Sequence, residues 1–360
     1  MRILHIASEN VAGVPGILVK AERKMGHYSR LMTYFKSPRA HWDDIVLNLP
    51  FSNTWSIRGL KKTAKIGTYG YSQKKGIPPR WEPKTTERIF YLFRDVLWNF
   101  KISPLKDYIR SFDCYFLDGG LGILRNGNIV KALKKMNKKI AILYLGSDLR
   151  LRGVLPDIEE LADVIFTTEF DHRFIHPETQ YVPFPFEVDK FNKKEILKNN
   201  KLTICHAPTK RYLKGTEYVL KAVEELKSKF DFNFLLIENK THEEALKIKE
   251  QTCDVLIDQL TDFGGFGYGM NSMECLSVGI PSITYINPQY EKFLKVHPFI
   301  NANKDNIKEV LEKILKNPKI LLKKSTESRK WVVKEHNYMN VSKYMLDKIM
   351  GRRFSQIFSD

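Results

Sequence analysis

The stretch Gly264-Gly265-Phe266-Gly267-Tyr268-Gly269-Met270-Asn271-Ser272-Met273-Glu274-Cys275-Leu276-Ser277-Val278-Gly279-Ile280-Pro281 decides how this chain is read. It follows an apolar run, Asp254-Val255-Leu256-Ile257-Asp258, and leads into another, Pro281-Ser282-Ile283-Thr284-Tyr285. The order is strand, glycine-rich loop, helix, glycine stop, strand. Gly279 stands where the C′ residue of a helix belongs, and Pro281 where the helix can no longer continue. Four glycines in six residues let the backbone approach a ligand closely. The first helical turn, near Met270 to Met273, offers N–H groups and a positive dipole end to an anion. Glu274, about one turn in, offers a carboxylate to a sugar diol. A phosphate at the helix start with a ribose beside it is the expectation. An ordinary strand–loop–helix with a solvated glutamate fits the same residues.

Working outward, 360 residues with 43% apolar content are enough for two packed domains. No apolar run reaches the length that spans a bilayer. Met1-Arg2-Ile3-Leu4-His5-Ile6 enters a strand pattern directly, without a signal-peptide core. Cys114, Cys205, Cys253 and Cys275 form no CxxC pair. Neither a disulfide framework nor a zinc site is indicated, and a reducing cytoplasmic setting fits. The formal charge of +18 calls for an anionic partner or surface: nucleic acid, a membrane or a phosphorylated substrate.

Arg2 to Ala7 reads as a first strand, ending in Ser8-Glu9-Asn10-Val11-Ala12-Gly13-Val14-Pro15-Gly16 ahead of a helix to about Met25. A doubly wound sheet opens this way, with ligands at the carboxyl ends of its strands. Gly13 and Gly16 do not make a dinucleotide fingerprint. Further strands are expected at about 28–35, 44–48, 112–117, 140–145 and 162–168. From 51 to 110 the character changes, with thirteen Lys/Arg against four Asp/Glu, a balance of +9. Trp55, Trp81 and Trp98 are interleaved with Tyr69, Tyr71, Phe90, Tyr91, Phe93 and Phe100. This composition suits an anionic lipid interface, single-stranded nucleic acid, or a solvated basic face over a core helix at about 86–100.

Tyr181-Val182-Pro183-Phe184-Pro185-Phe186 excludes regular structure and marks the domain boundary. The α/β pattern then restarts with strands at 201–205, 232–237 and 253–257, which argues for two parallel-sheet domains. After the first of them comes His206-Ala207-Pro208-Thr209-Lys210-Arg211-Tyr212-Leu213-Lys214-Gly215-Thr216. A lysine at a helix start can meet a diphosphate alongside backbone N–H groups.

The combination resembles retaining GT-B-type glycosyltransferases of the group 1, family 4-like kind. The resemblance rests on Lys214-Gly215-Thr216, Gly146-Ser147-Asp148-Leu149-Arg150, the proline linker and the glycine loop leading to Glu274. It implies two Rossmann-like doubly wound domains with a cleft between them and C-terminal helices. The division is 1–192, with the basic insertion at about 51–110, then 193–340. A final helix, 341–360, packs back on the first domain through Met345, Ile349, Phe354 and Phe358. It implies a nucleoside-diphosphate-sugar donor, and a glycan or lipid-linked acceptor met by the first domain. It implies transfer with retention, and no cofactor or metal is expected. An anionic membrane surface on the inner face of the cytoplasmic membrane is a further expected partner, and nucleic acid is not.

By the same resemblance Lys214 holds the donor diphosphate with a second basic residue, for which Lys210 and Arg211 both stand near the family's position. Lys214, Arg211 and Asp148 are carried over as catalytic. Gly13, Gly16, His206, Lys210, Lys214, Gly269, Met270, Asn271, Ser272 and Glu274 are carried over as donor-binding. Two positions depart from the pattern: Phe266 replaces the family's first glutamate, and Leu145 replaces a histidine. An inactive sugar-nucleotide-binding subunit and a sugar-nucleotide epimerase therefore stand beside the transferase.

Overall fold

A computed structural model of the chain describes residues 1–36, 42, 44–52, 76–146, 148–199, 201–263 and 265–352. Trp55, Tyr69, Tyr71, Ser147, Gly264, Phe354 and Phe358 lie outside them, as do the lysines of 61–65. The chain packs as two compact units, divided at Pro185/Phe186 and again at Asn337/Tyr338. The first crossing falls inside the proline segment rather than at residue 192, because Phe186 already pairs with Asn337 in the second unit.

In the first unit the described strands are β1 (Arg2–Ala7), β2 (Tyr28–Thr33), β3 (Ile45–Val46), β4 (Cys114–Asp118), β5 (Lys139–Tyr144), β6 (Val164–Thr167) and β7 (Gln180–Tyr181). They form one parallel sheet in the order β3-β2-β1-β4-β5-β6-β7. Ile3, Leu4 and Ile6 are fully buried, as expected of a central strand covered on both faces. The principal helices are α1 (Val14–Lys24), α2 (Thr85–Ile102), α3 (Lys106–Arg110) and α4 (Asn128–Lys135). α1 starts two residues before Gly16, with Pro15 in its first turn, where a missing N–H costs nothing.

In the second unit β8 (Thr203–His206), β9 (Asn233–Leu236), β10 (Val255–Ile257), β11 (Ser282–Thr284) and β12 (Ile300–Asn301) form a second parallel sheet. Its order is β12-β11-β10-β8-β9. Its helices include α5 (Thr216–Lys227), α6 (His242–Thr252), α7 (Met270–Val278), α8 (Ile307–Lys316) and α9 (Ile320–Glu335). The Thr241 hydroxyl and Glu244 carboxylate make a reciprocal capping box at the start of α6. Gly279 ends α7 with φ +85°, and a Cβ there would lie 3.1 Å from Ser325 Oγ. The left-handed φ favours glycine there, and the Ser325 hydroxyl leaves little room for a Cβ.

The last described helix, α10 (Tyr338–Ile349), belongs to the first unit and packs on α1. Met345 and Ile349 are buried, and Lys24 Nζ donates to the Tyr338 hydroxyl at 2.5 Å.

Trp81 and Trp98, the described tryptophans of the basic segment, differ from the expectation of an interfacial belt. Trp98 is 2% exposed, donates to Pro50 O at 2.7 Å and meets Tyr34 edge-on at 5.1 Å. Trp81 packs edge-on against Tyr91. Trp98 serves the core because α2 turns it inward, and Trp81, ahead of α2, packs half-buried against the same cluster.

Candidate functional site

Strand order reverses between β8 and β10, so the loops that leave their carboxyl ends diverge there and open a crevice. The loop after β8 carries Lys214; the loop after β10 carries Asp258, the glycines and the start of α7. Lys214 Nζ would lie 3.7 Å from a Cβ on Gly269. The two segments singled out in the sequence therefore meet at the amino end of α7.

Asp258, to which the sequence reading gave no role, organises the meeting. Its fully buried carboxylate accepts from Lys214 Nζ at 2.6 Å, from Ser272 Oγ at 2.7 Å and from Gly269 N at 3.2 Å. Burial pushes its pKa up, but Lys214, Ser272 and Gly269 prevail and hold it below the usual carboxylate range. An acid at the carboxyl end of a strand facing a glycine loop was the available signal. Gln259, the next residue, accepts from Lys214 at 3.2 Å and donates to Gly265 O at 3.2 Å. Lys214 is thus parked on a carboxylate beside the helix start.

One turn into α7, Glu274 is 3% exposed and both its oxygens have partners. Lys249, equally withdrawn on α6, closes on Oε2; His242 Nε2 lies 2.6 Å from Oε1. Burial raises the Glu274 pKa, whereas the His242 hydrogen bond and the Lys249 charge lower it more. This departs from a free carboxylate waiting for a diol: the Lys249 side is fixed in the interior. Only the His242 side, 70% exposed, can open.

Several candidates are committed to the protein itself. His206 is buried; a carbonyl only accepts, so its Nδ1–H donates to Ile257 O at 2.8 Å and its Nε2 accepts from Thr216 Oγ1 at 2.9 Å. Burial lowers its pKa. It joins β8, β10 and α5 and has no ring nitrogen left for a donor. The Asn271 amide donates to Ala207 O and accepts from Lys249, and Ser272 also meets Ser282. What Met270 and Asn271 can present to an anion is their backbone, because first-turn N–H groups have no acceptor within the helix. Arg211 is paired with Glu217 and Glu238, each at 2.8 Å. Lys210 is exposed and has no ion pair among the described residues, which favours it as the second basic residue.

In the first unit, the start of α1 is closed rather than open to an anion. Gly13 adopts φ +75°. Asn10 Oδ1 accepts from Gly16 N at 3.1 Å, and a Cβ on Gly16 would lie 2.6 Å from Asn10 Nδ2. Gly16 is needed for that close approach. Asp148 accepts from Leu145 N at 3.1 Å and packs against Gly119; burial raises its pKa. Arg150 pairs with Asp171 and Glu169, not with Asp148. Leu145 is 5% exposed and fills core.

The glycine loop has an anchor that its composition did not reveal. Tyr268 stacks on Phe299 at 4.5 Å and on Tyr290 at 5.8 Å. Its hydroxyl meets His336 Nε2 at 3.0 Å and receives the Tyr290 hydroxyl at 3.0 Å.

No family model and no curated protein matches the chain; solved structures do. A glycosyltransferase from Rickettsia africae superposes with a TM-score of 0.60 at 10% identity, over 98% of this chain and 99% of that one. The apo structure of OtsA gives 0.59 at 10% identity, over 99% and 100%. HepE from Anabaena, solved in complex with UDP, gives 0.58 at 10% identity, over 98% and 100%. Likeness at that identity is a likeness of fold, and the conclusion is that this chain has the two parallel-sheet α/β domains of GT-B glycosyltransferase structures.

Proposed function

We propose that the protein is a glycosyltransferase that takes a sugar from a nucleoside-diphosphate-sugar donor and passes it to a glycan or lipid-linked acceptor. The observation that carries this is the meeting of Lys214 with the amino end of α7 at the sheet's switch point, with Glu274 one turn further in. The structures of HepE with UDP and with UDP-glucose support a sugar nucleotide as the ligand class.

On this reading the donor diphosphate draws Lys214 Nζ away from Asp258 and takes backbone N–H groups of Met270 and Asn271. Lys210 closes from the exposed side. The ribose displaces His242 and donates to Glu274 Oε1. When the bond from the sugar to the diphosphate breaks, Lys214, Lys210 and the helix dipole stabilise the charge on the leaving group without a metal. Transfer proceeds with retention, in the making of a polysaccharide on the cytoplasmic side of the membrane. Incubating the protein with labelled donors and separating the released nucleotide tests this: release stimulated by acceptor saccharide is expected, in EDTA as in magnesium. No release from any nucleoside-diphosphate-sugar, with or without metal, contradicts it.

The second reading is a catalytically inactive subunit that binds a sugar nucleotide. Phe266 and the buried Leu145 favour it, since neither brings a polar group to the reaction. Tight donor binding with neither transfer nor isomerisation of the sugar would select it; isomerisation alone would select an epimerase.

A further inference from the structure

α2 has an inward face that is fully employed. Arg94 and Asp95 pair at 2.7 Å in the interior, and the Arg94 guanidinium lies over the rings of Trp98 and Tyr91. Asp95 also accepts from Arg125 N. The outward face is the opposite case. Ile89, Leu92, Phe93, Val96 and Phe100 are 63%, 59%, 56%, 56% and 74% exposed. At about 3.6 residues per turn they fall in one stripe along the helix. Phe51, partly exposed, lies against Phe93 and extends it. Beside the stripe runs a hollow of about 390 Å³ between α2, α3 and α4, with Val96, Ile109, Ile129 and Leu133 in its walls and Lys106 and Arg110 in its lining.

Five large apolar side chains in one exposed row are not ordinary for a chain that meets only water; continuous apolar patches mark interaction sites. The charge around the row selects the partner. From Lys84 to Arg110 the surface carries Lys84, Arg88, Lys101, Lys106 and Arg110, and the one exposed acid, Asp107, is paired with Arg110. Arg88 and Lys101 lie on opposite sides of the stripe by the same helical count. A second copy of this chain docked here would bring two rims of the same sign together. Nucleic acid would find hydrocarbon where its phosphates and base edges need donors. An apolar stripe with a cationic rim has the make-up of a helix lying in the plane of an anionic lipid surface, its apolar side chains among the acyl chains and its Lys and Arg snorkelling to headgroups.

We propose that the outward face of α2 is where this chain rests on an anionic lipid bilayer. Ile89, Leu92, Phe93, Val96 and Phe100 enter the acyl boundary, and Arg88, Lys101 and Lys106 meet lipid phosphates. This deepens the reading of a membrane-side acceptor and rests on it only for what the bilayer is for. The attachment is peripheral: among the described residues no helix is long and apolar enough to cross a membrane.

The test is co-sedimentation with vesicles of neutral phosphatidylcholine alone and with anionic phosphatidylglycerol added. The full chain is used, and sugar-nucleotide binding is titrated in parallel. Wild type should bind the mixed vesicles at least tenfold more strongly than the neutral ones, and lose that advantage at high salt. The pair Ile89→Ser and Phe100→Ser should lower binding at least tenfold; the outward position of both residues keeps the inward contacts. Arg88→Glu with Lys101→Glu provides an independent arm if the first pair folds poorly. Equal binding by both sets and wild type, or no binding of wild type to anionic vesicles, overturns the proposal. A wild-type dimer that Phe100→Ser makes monomeric overturns it in favour of a second copy. Vesicle binding without sugar-nucleotide binding would leave this surface standing and remove the transferase reading; the reverse result would do the opposite.

Discussion

The ammonium of Lys249 closes on Oε2 of Glu274 with both side chains almost wholly withdrawn from solvent. Each charge offsets the other's burial, His242 adds to Glu274 on its other oxygen, and Asn271 Oδ1 accepts another Lys249 proton at 3.0 Å. Lys249→Met should therefore leave a buried, half-paired carboxylate and cost about 3–5 kcal/mol of stability. Urea unfolding measures this; a loss under about 1 kcal/mol would mean the pair is not formed in solution.

His242 should make sugar-nucleotide binding depend on pH. The hydrogen bond to Glu274 raises its pKa above 6.5, against burial and Lys249, which lower it. Protonated, it holds Glu274 Oε1, the oxygen a ribose needs. Affinity should therefore rise as pH rises through the His242 pKa, and His242→Ala should bind more tightly at pH 6 and lose the dependence. The stability contribution has the opposite trend: present below pH 6.5 and lost as pH climbs through the raised folded pKa. Donor titrations at pH 6 and pH 8 decide it, and equal affinity in wild type at both sends the ribose elsewhere.

Lys214→Ala should weaken donor binding by about 1.5–3 kcal/mol, the range for a hydrogen bond to a charged group. Arg211→Ala should cost much less, because that side chain is occupied by Glu217 and Glu238. Lys210→Ala should fall between them. Isothermal titration of the three variants ranks them, and an Arg211 effect equal to that of Lys214 would reverse the assignment.

His5 is a stability element rather than a ligand. Burial alone would lower its pKa, yet Glu22 at 3.1 Å and Asp118 at 3.5 Å raise it to about 10. The folded chain holds this proton more tightly than the unfolded one. Its contribution is complete below about pH 6.5 and drains away between 6.5 and about 10. His5→Gln should flatten the fall in stability over that window, as read by unfolding at pH 6 and pH 9.

The fold was legible because its signals are local. Alternating apolar runs, glycine stops and the Pro183–Pro185 segment each mark a boundary without reference to the rest of the chain. The meeting of Lys214 with the glycine loop was legible for the same reason, since both follow strands of one sheet. What stayed hidden depends on partners distant in sequence. Lys249 and His242 reach Glu274 from 25 and 32 residues away, and Asp258 meets Lys214 across 44. A histidine such as His206 reads alike whether it faces a ligand or bridges two strands and a helix. Trp98 was misleading because composition does not say which face of α2 a residue occupies: it is core, and Phe100, two residues on, is the most exposed member of the stripe.

On the proposed function, Lys214 and the start of α7 hold a sugar nucleotide. The most direct measurement is thermal unfolding of wild type and Lys214→Ala in EDTA with UDP-, GDP-, ADP- and CMP-sugars. A donor present at about 100 times its dissociation constant should stabilise wild type by about 2.7 kcal/mol, a shift that Lys214→Ala largely loses at the same concentration. No shift with any of the four, or an equal shift in the variant, would contradict the claim.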